Sequence, residues 1–152
     1  MQLGLVCVLV ACALSASIKE RLQTSEQYSA EEWLNLLQQT LMGSDVRQGC
    51  IFTMDEDILA ITPYFTMPES GVERVVGYFK DLKTAESQYL TIGRTTYTVK
   101  LAVDGLIMGE SDSRLFAAKR VGDIVVLGVG NPGGDLTDPI PQVEKLAGLI
   151  NP

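Results

Sequence analysis

The chain has 152 residues, 46% of them hydrophobic and 20% charged, enough for one domain whose core needs no disulfide or metal to hold it together. With Lys+Arg at 12 and Asp+Glu at 19, the net charge is −7 and no basic block exists, which excludes nucleic-acid binding by phosphate neutralisation. There is no His, so Ser-His-Asp and Cys-His catalysis and His-ligated metal sites are excluded, and the three scattered cysteines (Cys7, Cys12, Cys50) do not make a zinc site.

Met1 to Ala16 carries no charged side chain, and Leu3 to Val10 is an almost unbroken apolar run that leads into small residues near Ala13 to Ser17. The pattern predicts a secretory signal peptide over 1–17, although its start lacks Lys or Arg. An apolar leader that stays attached, or a mis-assigned start, remains open. The absence of any Asn-x-Ser/Thr acceptor, and a single cysteine after the leader, fit an intracellular protein better than a secreted one. Residues 18–28 (IKERLQTSEQY) read as a linker, and 29–152 as the domain.

Ser29-Ala-Glu-Glu32 is a capping-box pattern, followed by Trp33, Leu36, Leu37 and Leu41 at helical spacing, so a helix is expected over 30–42 with Gly43 ending it. Gly49–Thr53 and Ile58–Thr62 predict a hairpin around the acidic turn Asp55-Glu56-Asp57. Thr66-x-x-Glu69 is a second capping pattern with Pro68 in the first turn. Val72, Val75, Val76 and Phe79 extend it to an amphipathic helix over 67–80. The period then changes. Tyr89–Ile92, a Gly93-Arg94 turn and Thr95–Leu101 predict a second hairpin, and Asp104-Gly105 marks a further turn. Ser113–Lys119 and Asp123–Val129 predict two more strands joined at Val121-Gly122, the second apolar enough to be central. Asn131-Pro-Gly-Gly134 predicts a loop. Pro139 and Pro141 open a last helix that carries Val143, Leu146, Ala147 and Ile150 on one face. Helix, hairpin, helix, antiparallel strands and helix make an α+β fold: one sheet with helices on its faces.

No catalytic constellation stands out. The consecutive carboxylates at 55–57 lack the alternating ligand spacing of a calcium loop, and Asn131-Pro-Gly-Gly134 lacks the Gly-Lys-Ser/Thr of a phosphate loop. Cys50 sits in an apolar run, where a thiol is inert packing. No metal site, cofactor or enzymatic activity is expected, and the residues point to a small binding module.

Several segments carry a family resemblance. Ser29-Ala-Glu-Glu-Trp33, Ile92-Gly-Arg-Thr-Thr-Tyr-Thr-Val99, Ala118-Lys-Arg-Val-Gly122 with Ile124–Gly128, and Val143-Glu-Lys-Leu-Ala147 occur in the order of the corresponding profilin motifs. The stretch from Ser29 to Ile150 resembles profilin, the small actin-monomer-binding family. The resemblance implies a central antiparallel sheet with the N- and C-terminal helices on one face and a shorter helix on the other. It implies binding of monomeric actin, promotion of nucleotide exchange, control of filament assembly, and a cytoplasmic, cytoskeleton-associated location. The actin-facing positions it implies are Thr96, Thr98, Val99, Lys100, Lys119 and Arg120. Asp138, Pro139 and Ile140 stand where vertebrate members place basic side chains.

The resemblance also implies a groove for proline-rich ligands between the terminal helices. Trp33 matches the first aromatic of that groove, while the other aromatic positions are Leu36, Leu59 and Leu149. A polyproline ligand stacks on aromatics, so this substitution counts against proline-rich partners. Trp33 is equally explained as packing between the helices. Dispersed basic residues on an acidic chain count against phosphoinositides. Two other readings stay open: a profilin-fold adaptor that has lost actin and proline binding, and a secreted member of the fold if 1–17 is cleaved.

Overall fold

The computed structural model describes residues 28–41, 46–131 and 138–150. The apolar leader, residues 18–27, the Gly43 helix stop and positions 132–134 of the expected loop lie outside these. In chain order the elements are α1 (Ala30–Leu41), β1 (Val46–Thr53), β2 (Ile58–Ile61), α2 (Glu69–Lys80), α3 (Leu82–Ala85), β3 (Tyr89–Ile92), β4 (Thr95–Val103), β5 (Leu106–Glu110), β6 (Leu115–Val121), β7 (Ile124–Gly130) and α4 (Ile140–Ile150).

The seven strands form one antiparallel sheet in the order β2-β1-β7-β6-β5-β4-β3. Three two-residue turns drive the meander. Gly93, Gly105 and Gly122 have φ of 61°, 77° and 60°. This left-handed conformation suits glycine and the twist of a tight hairpin. The last turn spans Gly122-Asp123, one residue later than expected, because Val121 pairs with Ile124. The acidic turn at 55–57 is held by Thr53, whose Oγ1 accepts from the amides of Asp55 and Asp57 at 3.1 Å each. Among the described residues no group of three metal-ligating side chains converges.

Alternation along β1, β6 and β7 splits the core in two. On the outer face, α1 and α4 bury Trp33, Leu37, Val143, Leu146 and Ile150 against Ile51, Ala117, Ile124 and Val126. On the inner face, α2 and α3 cover Cys50, Phe52, Tyr97, Val99, Ile107, Phe116 and Leu127. Each large apolar side chain buried this way stabilises the fold by about 1.5–3 kcal/mol before entropy is counted. The inner helix α2 is as long as α1, at 12 residues. The single-domain α+β architecture with terminal helices sharing one face is as the sequence predicts.

Three local expectations change. The first capping box forms: the Ser29 amide donates to Glu32 Oε1 at 2.9 Å and the Glu32 amide to Ser29 Oγ at 3.2 Å. The second does not. Met67 precedes proline and is driven out of helical geometry. The helix therefore starts at Glu69, with Pro68 as an extended N-cap that makes no side-chain cap bond. Leu106–Glu110 is a full strand where only a turn was expected before it. Tyr28, read as the end of a linker, packs edge-on to Trp33 with ring centroids 4.8 Å apart.

Candidate functional site

The helices α1 and α4 cover only part of the outer sheet face. Packing of α4 against β6 and β7 is permitted by small residues beneath it. A Cβ at Gly128 would stand 3.2 Å from Val143 Cγ1. The outer face of β3, β4 and β5 is left uncovered, with Tyr89 61% exposed and Val103 46% exposed. Across it run the paired positions Tyr89, Thr98 and Glu110, then Thr91 and Thr96, whose hydroxyls meet at 2.9 Å. The β4–β5 ladder shifts register between Val99 and Leu101, a bulge that leaves Lys100 unpaired and exposed. Its ammonium stands 3.8 Å from Glu110 Oε1. Thr96, Thr98, Lys100, Glu110 and the turn residues Ser111 to Ser113 line a polar groove on this surface.

Of the expected actin-facing residues, Thr96, Thr98 and Lys100 lie together on this open face. Val99 does not: it is 1% exposed and sits in the inner core, because neighbouring strand residues point to opposite faces. The expected basic pair also separates. Lys119 faces α4 and pairs with Glu144 Oε1 at 3.1 Å. Arg120 follows the opposite alternation. Its Nε donates to the Gly122 carbonyl at 2.8 Å, and it lines a hollow with Phe79 and Leu82. At the start of α4, Asp138 Oδ1 accepts from the Ile140 amide at 2.9 Å, so this carboxylate serves the helix terminus.

The groove residues between the terminal helices divide similarly. Trp33, Leu36 and Leu59 meet in the outer core, with Trp33 only 1% exposed beneath Tyr28. Leu149 stays apart, 48% exposed on the far side of α4. The aromatic that sequence reading missed is Tyr28, whose position five residues before Trp33, outside the helix, gave no periodic signal.

The sequence model of Profilin matches residues 31–151. The chain belongs to the profilin family. Solved structures repeat the fold. Acanthamoeba castellanii profilin IB superposes with a TM-score of 0.69 at 21% identity, covering 78% of this chain and 95% of that one. Rat profilin 2a gives 0.61 at 16% identity, covering 81% and 94%. LokiProfilin2, solved in complex with rabbit actin, gives 0.63 at 16% identity, covering 77% and 94%. No curated relative matches the sequence. Within this profilin the sheet face of β3, β4 and β5 beside α4 is covered by neither terminal helix.

Proposed function

We propose that the protein binds monomeric actin and regulates its assembly and nucleotide exchange, acting in the cytoplasm as a non-enzymatic member of its family. The observation that carries this reading is the open outer face of β4 and β5 next to α4. It offers Thr96, Thr98 and Lys100 from β4 and Lys119 from β6, with Leu101 and Met108 half-buried between them. A mixed surface with apolar side chains at its centre and charged ones at its rim is what a protein partner needs. Family membership over 31–151 and the actin complex of LokiProfilin2 support the choice of partner. Val99 takes no part, and Arg120 contributes only at the edge.

The burial of Trp33 favours a reading in which proline-rich ligands are not bound through this residue. The adaptor alternative keeps the same surface with a different partner. The test is binding of labelled monomeric actin with nucleotide release read in the same experiment. Charge reversal at Lys119 should weaken binding by about tenfold, the scale of a close charge pair at an interface. Actin binding that is absent altogether returns the surface to an adaptor role.

A further inference from the structure

The two edges of the sheet are finished differently. α2 closes β3: the Tyr78 hydroxyl donates to the Tyr89 carbonyl at 2.6 Å, and a Cβ at Gly71 would stand 3.3 Å from the Thr91 carbonyl oxygen. β2 ends the strand order on the other side, and among the described residues no strand pairs with its far edge. The Thr62 amide donates to the Gly49 carbonyl of β1 at 3.0 Å. Backbone groups alternate sides along an antiparallel ladder, so Ile61 turns its N–H and carbonyl away from β1. We propose that β2 is a self-association edge, pairing antiparallel with β2 of a second copy of this chain across a two-fold axis.

The make-up of this edge carries the proposal. Edge strands that stay single are blunted by lysine, proline, an inward charge or a bulge. Ile58–Ile61 (Ile-Leu-Ala-Ile) has none of the first three. Its ladder to β1 shifts register between Ile51 and Phe52, opposite Ile58, which leaves Leu59 to Thr62 as the regular stretch. Ile58 at the start is 43% exposed, and Tyr64, just past the end, is fully exposed. Tyr64 is also held at φ 63°, a conformation uncommon for a side chain of its size. An open backbone flanked by an exposed aliphatic and a fixed aromatic suits a partner built of the same parts. A contact this short is weak and reversible.

Charge selects both the occupant and its direction. Asp55, Glu56 and Asp57 immediately precede β2. Beyond its other end, Tyr64 lines a hollow together with Arg94 and Arg114. In an antiparallel pair each acidic turn comes toward the arginine-bearing end of the partner, and the two-fold axis makes this match twice. A parallel pair would set the two acidic turns against each other. Copies of a chain with net charge −7 repel at long range, so a local match of this kind is what lets them meet. β2 lies at the opposite end of the strand order from β3, β4 and β5, so this edge is separate from the face proposed for actin.

The test is sedimentation velocity of the full chain at rising concentration, with amide NMR on the same samples. A monomer–dimer equilibrium is expected, with a dissociation constant of about 0.1 mM, the scale of a small transient contact. As dimer forms, the Ile61 amide should exchange more slowly. Ile58→Lys and Tyr64→Asn should each weaken association about tenfold. Asparagine tolerates a positive φ, so Y64N keeps the unfolding midpoint and isolates pairing from folding. Asp55→Arg and added salt should also weaken association. Leu149→Lys, exposed on α4, should leave it unchanged. Three results overturn the proposal: a monomer at every concentration up to about 1 mM, a dimer indifferent to both salt and Asp55→Arg, or a dimer lost with Leu149→Lys and kept with Ile58→Lys.

Discussion

The ring of Phe116 lies across Gly109, its partner in the β5–β6 ladder, and fills the space a Cβ at that position would take. The contact is closed from the other side by the Thr98 carbonyl oxygen, 2.8 Å from the same point. Phe116 is fully buried and meets Tyr97 edge-on at 5.3 Å, so it has nowhere to retreat. Gly109→Ala should therefore destabilise the fold by about 1–3 kcal/mol, the cost of overpacking a filled core. Urea unfolding checks it, and an unchanged midpoint would mean that the ring moves freely.

Trp33 is a structural residue by the same measure. Trp33→Ala should cost about 3–5 kcal/mol, as for a large aromatic removed from a core. Because it is the sole tryptophan, its emission reports the outer core directly. A proline-rich peptide should leave that emission unchanged in the native protein, since Tyr28 already occupies the exposed edge. A saturable shift in emission would show that the groove opens.

The N-terminal cap makes one acid-sensitive contribution. Hydrogen bonds from the Ser29 amide and hydroxyl hold the Glu32 carboxyl below its usual 4.5. A depressed folded pKa stabilises above the unfolded value, and that contribution disappears as pH falls through the folded value. Glu32→Gln should lower the unfolding midpoint at neutral pH, and the difference from the parent should narrow below about pH 4, where the parent's carboxyl is protonated too. A difference that stays constant with pH would show that the charge of this carboxylate contributes nothing to the cap.

Much of this architecture was legible from residue spacing. Trp33, Leu37 and Leu41 announced the buried stripe of α1, and Gly93, Gly105 and Gly122 marked the three turns. Other features depended on tertiary structure. The strand β5 (Leu-Ile-Met-Gly-Glu) lacks alternation and contains a glycine whose purpose appears only when Phe116 lies over it. The Thr66 capping pattern was misleading because Pro68 restricts Met67. The facing of Val99 was readable, since Tyr97 and Val99 share one side of β4, but the bulge beside it is a property of pairing.

Cys50 is buried on the inner face, and burial pushes its thiol far above the usual value. Its reaction with a thiol reagent at neutral pH should therefore follow global unfolding, with no fast native phase. Prompt labelling in native buffer would show that β1 opens locally.

The most direct measurement is a titration of fluorescent monomeric actin with the purified chain, with nucleotide release followed in parallel. The outer sheet face as the actin surface predicts a dissociation constant of about 1 μM or tighter, near −8 kcal/mol. It also predicts faster release, and weakening when Lys119→Glu reverses the charge beside α4. No binding at tens of micromolar actin would contradict it.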